Sequence, residues 1–188
     1  YGSIHTYISP RLCGESKHAT RLFYNGANPI ISAVGTAGYR IYGLTLSEIG
    51  LDGLGNATTG IYLEYSNNAY LYDVLVYNFK DRGLSLLNSI NVILVGCNFP
   101  HCGGLLATGA AIYSVDGTTL QMFGVGIRGG TVWDGNAAHI QHGIVLNGTD
   151  NCRFYSCIIE EQGNDAIRVT GAATGIVING CYCEANGG

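Results

Sequence analysis

A nine-residue pattern returns six times along the 188-residue chain, beginning at Gly38, Asn68, Asn91, Thr119, Asn151 and Gly175. The spacings are 30, 23, 28, 32 and 24 residues. Position two is apolar or aromatic and position four is large and apolar, as in Val92 and Leu94 or Cys152 and Phe154. Position six is Gly43, Asp73, Gly96, Gly124, Ser156 or Gly180, and positions seven and nine are apolar again. Self-similarity at such a period marks a solenoid, whose units cannot bury their apolar faces alone and must stack.

The phase within the pattern tells which solenoid. Side chains alternate along a strand with period two, so positions two and four share one face. Positions seven and nine share a face as well, but out of phase with the first pair. One residue must absorb a corner, and Gly, Asp and Ser at position six fit a left-handed bend, which glycine adopts freely and aspartate tolerates. A third strand follows as Gly60-Ile61-Tyr62-Leu63, Gly83-Leu84-Ser85-Leu86, Gly143-Ile144-Val145-Leu146 and Ala166-Ile167-Arg168-Val169, with Ala111-Ile112-Tyr113-Ser114 a poorer copy. Three short strands per coil, stacked in register over about six to eight coils, make an all-β, parallel β-helix.

Residues 38–188 read as the regular part of this single domain, and 1–37 as less regular coils in which Thr20–Tyr24 and Pro29–Val34 are strand-like. The last copy stops before its third strand, so the β-helix reads as truncated at its C-terminal end and the chain as part of a longer protein. Charged residues make up 12% of the chain, about half the usual quarter. Apolar content of 47% with a net charge of −4 excludes a disordered chain. Nine Lys and Arg residues without a cluster argue against a nucleic-acid partner. No apolar run reaches the roughly 18 residues of a membrane span, so no membrane insertion is expected.

Seven cysteines invite a disulfide or metal reading, and the repeat works against both. Cys97, Cys157 and Cys181 all fall at position seven, where they point inward as small apolar fillers. The count is odd and no Cys-x-x-Cys pair occurs, so neither a structural metal nor another cofactor is implied. Neighbouring coils would bring Cys157 and Cys181 just close enough for a bridge.

Coil length varies mainly between position nine and the third strand. Long segments fall at 47–59, 101–110 and 128–142, and short ones at 77–82 and 160–165. Insertions on one edge of a solenoid often mark its binding face. This edge holds Glu48, Asp52, His101 and Arg128, then Trp133, Asp134, His139 and His142, with Glu160, Glu161 and Asp165 on the short loop after them. Trp133 beside Arg128, His139 and His142 has the makings of a sugar-binding groove. Asp134, Glu160, Glu161 and Asp165 are candidate acid–base or nucleophilic carboxylates for glycosidic cleavage. The plainer alternative is that they are solvated turn residues. Tyr42, Tyr72, Phe123 and Tyr155 at position five form an outward aromatic stack, read as structural before carbohydrate-binding.

In the repeat, and in 38–46 and 181–188, the sequence resembles the pectate-lyase-like right-handed parallel β-helix superfamily, and most of all the β-helix of bacteriophage tailspikes. The resemblance implies a homotrimer on a phage tail virion, or otherwise a protein at a cell surface or outside the cell. It also implies a bacterial surface polysaccharide as the partner, bound and in many such proteins cleaved. The Asp-Asp and Arg-x-Lys motifs of polygalacturonases are absent, and Gln141-His142-Gly143 stands where Gly-His-Gly would be sought. Pectin hydrolysis is therefore not expected. A non-catalytic adhesin or shaft segment is the competing reading, and a polysaccharide lyase a further one.

Overall fold

The computed structural model describes residues 9–103, 109–129 and 142–186. They contain strands and no helix, so no helix among them is long and apolar enough to cross a membrane. The strands stack into three parallel sheets of seven, seven and six strands, with a two-stranded fourth. Sheet A stacks Arg11–Cys13, Thr45–Ser47, Tyr70–Tyr72, Val92–Val95, Leu120–Phe123, Arg153–Tyr155 and Val177–Asn179. Sheet B stacks Arg21–Phe23, Gly50–Asp52, Leu75–Tyr77, Asn98–Pro100, Gly126–Arg128, Ile158–Glu160 and Tyr182–Glu184. Sheet C stacks Ile31–Val34, Thr59–Glu64, Arg82–Leu87, Ala110–Val115, His142–Asn147 and Ile167–Thr170. The chain passes A, B, C and returns to A, so each strand pairs with its counterpart one coil away. This is the parallel β-solenoid that the repeat predicts.

Position six is the corner between sheets A and B. Asp73, Gly96, Gly124, Ser156 and Gly180 all take left-handed φ angles between 51° and 63°. Position one is left-handed too, at Asn68 (φ 56°), Asn91 (φ 56°), Asn151 (φ 52°) and Gly175 (φ 64°). Asparagine is used there because it tolerates this backbone and its side chain bonds along the stack. The Asn91 Nδ2 donates to Asn68 Oδ1 at 2.7 Å. Positions two, four, seven and nine fill the interior, where Leu71, Leu94, Phe99, Met122, Phe154 and Ile159 are buried.

The first copy sits five residues later than the sequence pattern places it. Thr45–Ser47 pairs with Tyr70–Tyr72, and Gly50–Asp52 with Leu75–Tyr77. Position one is therefore Gly43 (φ 68°) and position six is Glu48 (φ 54°). Leu44 and Leu46 are buried, whereas Tyr39 is 72% exposed. Three readings change with this register. Tyr42 leaves the aromatic stack: Ile41–Tyr42 pairs with Ser66–Asn67, and Ser47 is the register partner of Tyr72. Phe123 and Tyr155 do stack, with centroids 5.2 Å apart. Glu48 is a corner residue, and the segment joining the first long coil to sheet C shrinks to 53–58. Asp52 ends its strand buried, accepting from the Leu54 N–H at 2.8 Å and Asn78 Nδ2 at 3.4 Å.

Cys97 and Cys157 are buried and Cys181 half-buried, and all are free thiols. Burial pushes the Cys97 and Cys157 thiols up to about 11, which keeps them protonated and inert.

Candidate functional site

The segments 101–109 and 129–141 both join sheet B to sheet C, so the candidate site is built along that edge. On the sheet B side, Arg128 and Glu160 end neighbouring strands in register, and Glu184 follows Glu160 in the next coil. Glu161 occupies the corner just beyond, with φ 59°. Its carboxylate meets the Arg128 guanidinium at two points, Nε–Oε2 at 3.1 Å and Nη2–Oε1 at 2.9 Å. Those hydrogen bonds hold the Glu161 carboxyl below the ordinary range. A carboxylate held ionised in this way suits binding better than proton donation. The His101 N–H donates to the Arg128 carbonyl at 2.9 Å. Burial, with Arg128 second, lowers the imidazole's proton affinity.

On the sheet C side, the residues between the inward apolar pairs of the third strand point out of the solenoid. Register aligns Tyr62, Ser85, Tyr113, Val145 and Arg168 in one row. A second row runs Thr59, Arg82, Ala110 and His142. The Arg82 guanidinium lies over the Tyr113 ring, 3.9 Å from its centroid, and its Nη1 donates to Ser85 Oγ at 3.3 Å. The Tyr62 hydroxyl donates to Glu64 Oε2 at 2.8 Å. Burial and this carboxylate push the phenol up to about 12.

The two rows end in three polar side chains. His142 is buried, with a side chain only 3% exposed, and Asp165 beside it is 41% exposed. His142 Nδ1 lies 3.1 Å from Asp165 Oδ2, in contact but off the line of a good hydrogen bond. Nε2 lies 3.1 Å from Nη1 of the exposed Arg168. Burial lowers the proton affinity of His142, Arg168 lowers it further, and Asp165 opposes both. The ring is a neutral, buried bridge between a carboxylate and a guanidinium that both reach solvent.

The candidates named from the sequence thus divide. Arg128 and Glu161 are brought together with Glu160 beside them, and His142 is brought to Asp165. Trp133, Asp134 and His139 lie outside the described residues. Among the described residues, no three His, Cys, Asp or Glu side chains group to hold a metal ion. The sequence reading missed Tyr62, Arg82, Tyr113 and Arg168. Three of them were visible as the middle residue of the third-strand triplets, but the triplets were used only to place the strand.

No family model matches the chain, and no curated protein matches its sequence. Solved structures do. ORF18 of Geobacillus virus E2 superposes with a TM-score of 0.60 at 14% identity, over 93% of this chain and 49% of that one. An alginate lyase from Paenibacillus sp. gives 0.56 at 15% identity, over 94% and 69%. The A-module of the Azotobacter vinelandii mannuronan C-5 epimerase AlgE6 gives 0.54 at 16%, over 94% and 61%. The chain is a parallel β-helix. At these identities the likeness is one of fold, and this β-helix spans about half the length of the virus protein. Fold alone carries no chemistry, so the reading of function rests on the side chains along the sheet B–sheet C edge.

Proposed function

We propose that this β-helix binds a bacterial surface polysaccharide laid across the outer face of sheet C, along its edge with sheet B. The observation that carries the reading is the outward row from Tyr62 through Tyr113 to Arg168, which ends beside Asp165 and the buried His142. With strands about 4.8 Å apart, the row from Tyr62 to Arg168 is about 19 Å long, the scale of a short run of sugar rings. Tyr113 and Arg82 offer an aromatic and a planar cationic surface for a ring face. Arg168 and Asp165 offer donors and acceptors for hydroxyl and acidic substituents. Arg128, Glu160 and Glu161 extend this polar edge, and Trp133, Asp134 and His139 stay candidates on sequence grounds alone. The likeness in fold to a virus protein, and to proteins named as an alginate lyase and a mannuronan epimerase, supports a saccharide partner. The reading places the protein on a virion or otherwise outside the cell, as a homotrimer.

The test is a binding screen of the wild type, Arg168→Ala and Tyr113→Ala against capsular and O-antigen polysaccharides. Each variant is expected to bind the retained polysaccharide at least tenfold more weakly. Unchanged affinity in both would remove the site from this face. A second reading, that the polysaccharide is also cleaved, is favoured by the exposed Asp165 and Arg168 held on one buried ring. New reducing ends without unsaturated-uronate absorbance point to hydrolysis by a pair among Asp134, Glu160, Glu161 and Asp165. Absorbance from unsaturated products points to elimination. Binding without either product leaves the non-catalytic adhesin.

A further inference from the structure

We infer that His142 is a positioning residue which holds Arg168 in place for the ligand only while its ring is neutral, so that acid switches ligand binding off. This rests on the proposed saccharide site, of which it names the control.

The argument begins with the proton inventory. An arginine guanidinium has five donors and no acceptor. The Arg168 Nη1 therefore donates to His142 Nε2 across 3.1 Å, and Nε2 must carry a lone pair. A neutral imidazole has one N–H, so the proton sits on Nδ1, the atom facing Asp165 Oδ2 at 3.1 Å. Arg168 thus selects the tautomer, and the tautomer in turn fixes Arg168. Adding a proton to Nε2 breaks this arrangement at once: two donors and two positive charges would face one another across the same gap. With the His142 side chain 3% exposed, water screens them only from the Arg168 side. Arg168 is at the surface and free to leave, whereas the imidazolium gains from Asp165. Acid therefore exchanges one contact for the other.

No further charge among the described residues offsets the exchange. On the strand before His142, its register partner is Ala110. Arg82 lies one strand beyond, its guanidinium held by Tyr113 and Ser85. His142 is the only titratable residue of its own strand. On the following strand the facing groups are Arg168 and, just ahead of it, Asp165. Asp134 and His139 lie outside the described residues. Burial and Arg168 both place the titration below the ordinary histidine value of 6.5.

The experiment has a ligand-free arm and a ligand arm. Long-range ¹⁵N–¹H spectra of the protein alone should show His142 as the Nδ1–H tautomer at pH 7.5, titrating below pH 6.5. The Arg168 side-chain signals should move with the same midpoint. For the ligand arm, the probe is the capsular or O-antigen polysaccharide bound most tightly in the screen. Its affinity should fall at least tenfold through that midpoint. His142→Gln, which keeps a donor and an acceptor but does not titrate, should bind more weakly at pH 7.5 and show no further loss in acid. An Nε2–H tautomer, Arg168 signals indifferent to the titration, or an undiminished acid loss in His142→Gln would each overturn the inference. If no polysaccharide binds, the proposed function fails, while the spectra still decide the role of His142.

Discussion

At the scale of single residues, this protein is governed by backbone sign and by burial of charge. Asn91 joins a left-handed φ of 56° to a side-chain bond with Asn68. Asn91→Ala should cost about 1–3 kcal/mol, from the lost bond and the strained backbone together, read as a lower urea midpoint. The two depressed histidines, His101 and His142, set a pH dependence. Between their folded values and the unfolded value of 6.5, the unfolded chain binds more protons, so stability falls as pH drops through that window and levels off below it. Urea unfolding at several pH values should show this loss, and the double variant His101→Gln, His142→Gln should flatten it. The same residue scale explains the register slip in the first copy. Both corners accept Gly, Asn and Asp, so Gly43 fits position one or position six, and Leu44 and Leu46 suit either pair of inward sites. Local chemistry offered two registers there, and only pairing with the next coil chooses between them.

At the scale of elements, the described strands are two to six residues long, and those in the middle coils bury their inward side chains. Phe99 and Phe154 are wholly buried. Replacing either by Ala should cost about 3–5 kcal/mol from lost burial and the cavity left behind, measurable by thermal or urea unfolding. Gly129 serves a different need. A Cβ there would overlap the Glu161 carbonyl oxygen of the next coil. Gly129→Ala should therefore displace the Arg128–Glu161 corner, and loss of the Arg128 side-chain signal pattern in NMR spectra would report it. The strands themselves were legible from sequence because inward residues must be apolar every second place. The polar rows of sheet C were harder to see. Outward positions carry no compositional rule, and Tyr62, Tyr113 and Arg168 fall in one row only after parallel pairing brings residues 23 to 32 apart into line.

At the scale of the whole molecule, stability is a chain of nearest-neighbour terms, because each coil touches only the coils beside it. The strand Arg11–Cys13 is exposed throughout, while Val92–Val95 buries Val92 and Leu94 completely. Amide hydrogen exchange should therefore be slowest around Val92–Val95 and Leu120–Phe123 and fastest in Arg11–Cys13. Uniform protection along the stack would show a single cooperative unit instead. Leu94→Asp should uncouple the coils on its two sides and split the unfolding transition in two. The three corners of each coil are not equivalent. The one between sheets A and B is two residues long in every coil from Glu48 onward, the first of them left-handed. Where it is described throughout, the one between sheets B and C ranges from the four residues 78–81 to the seven residues 24–30. Loops of different length can be carried coil by coil at the variable corner, while the fixed corner keeps every strand at its address.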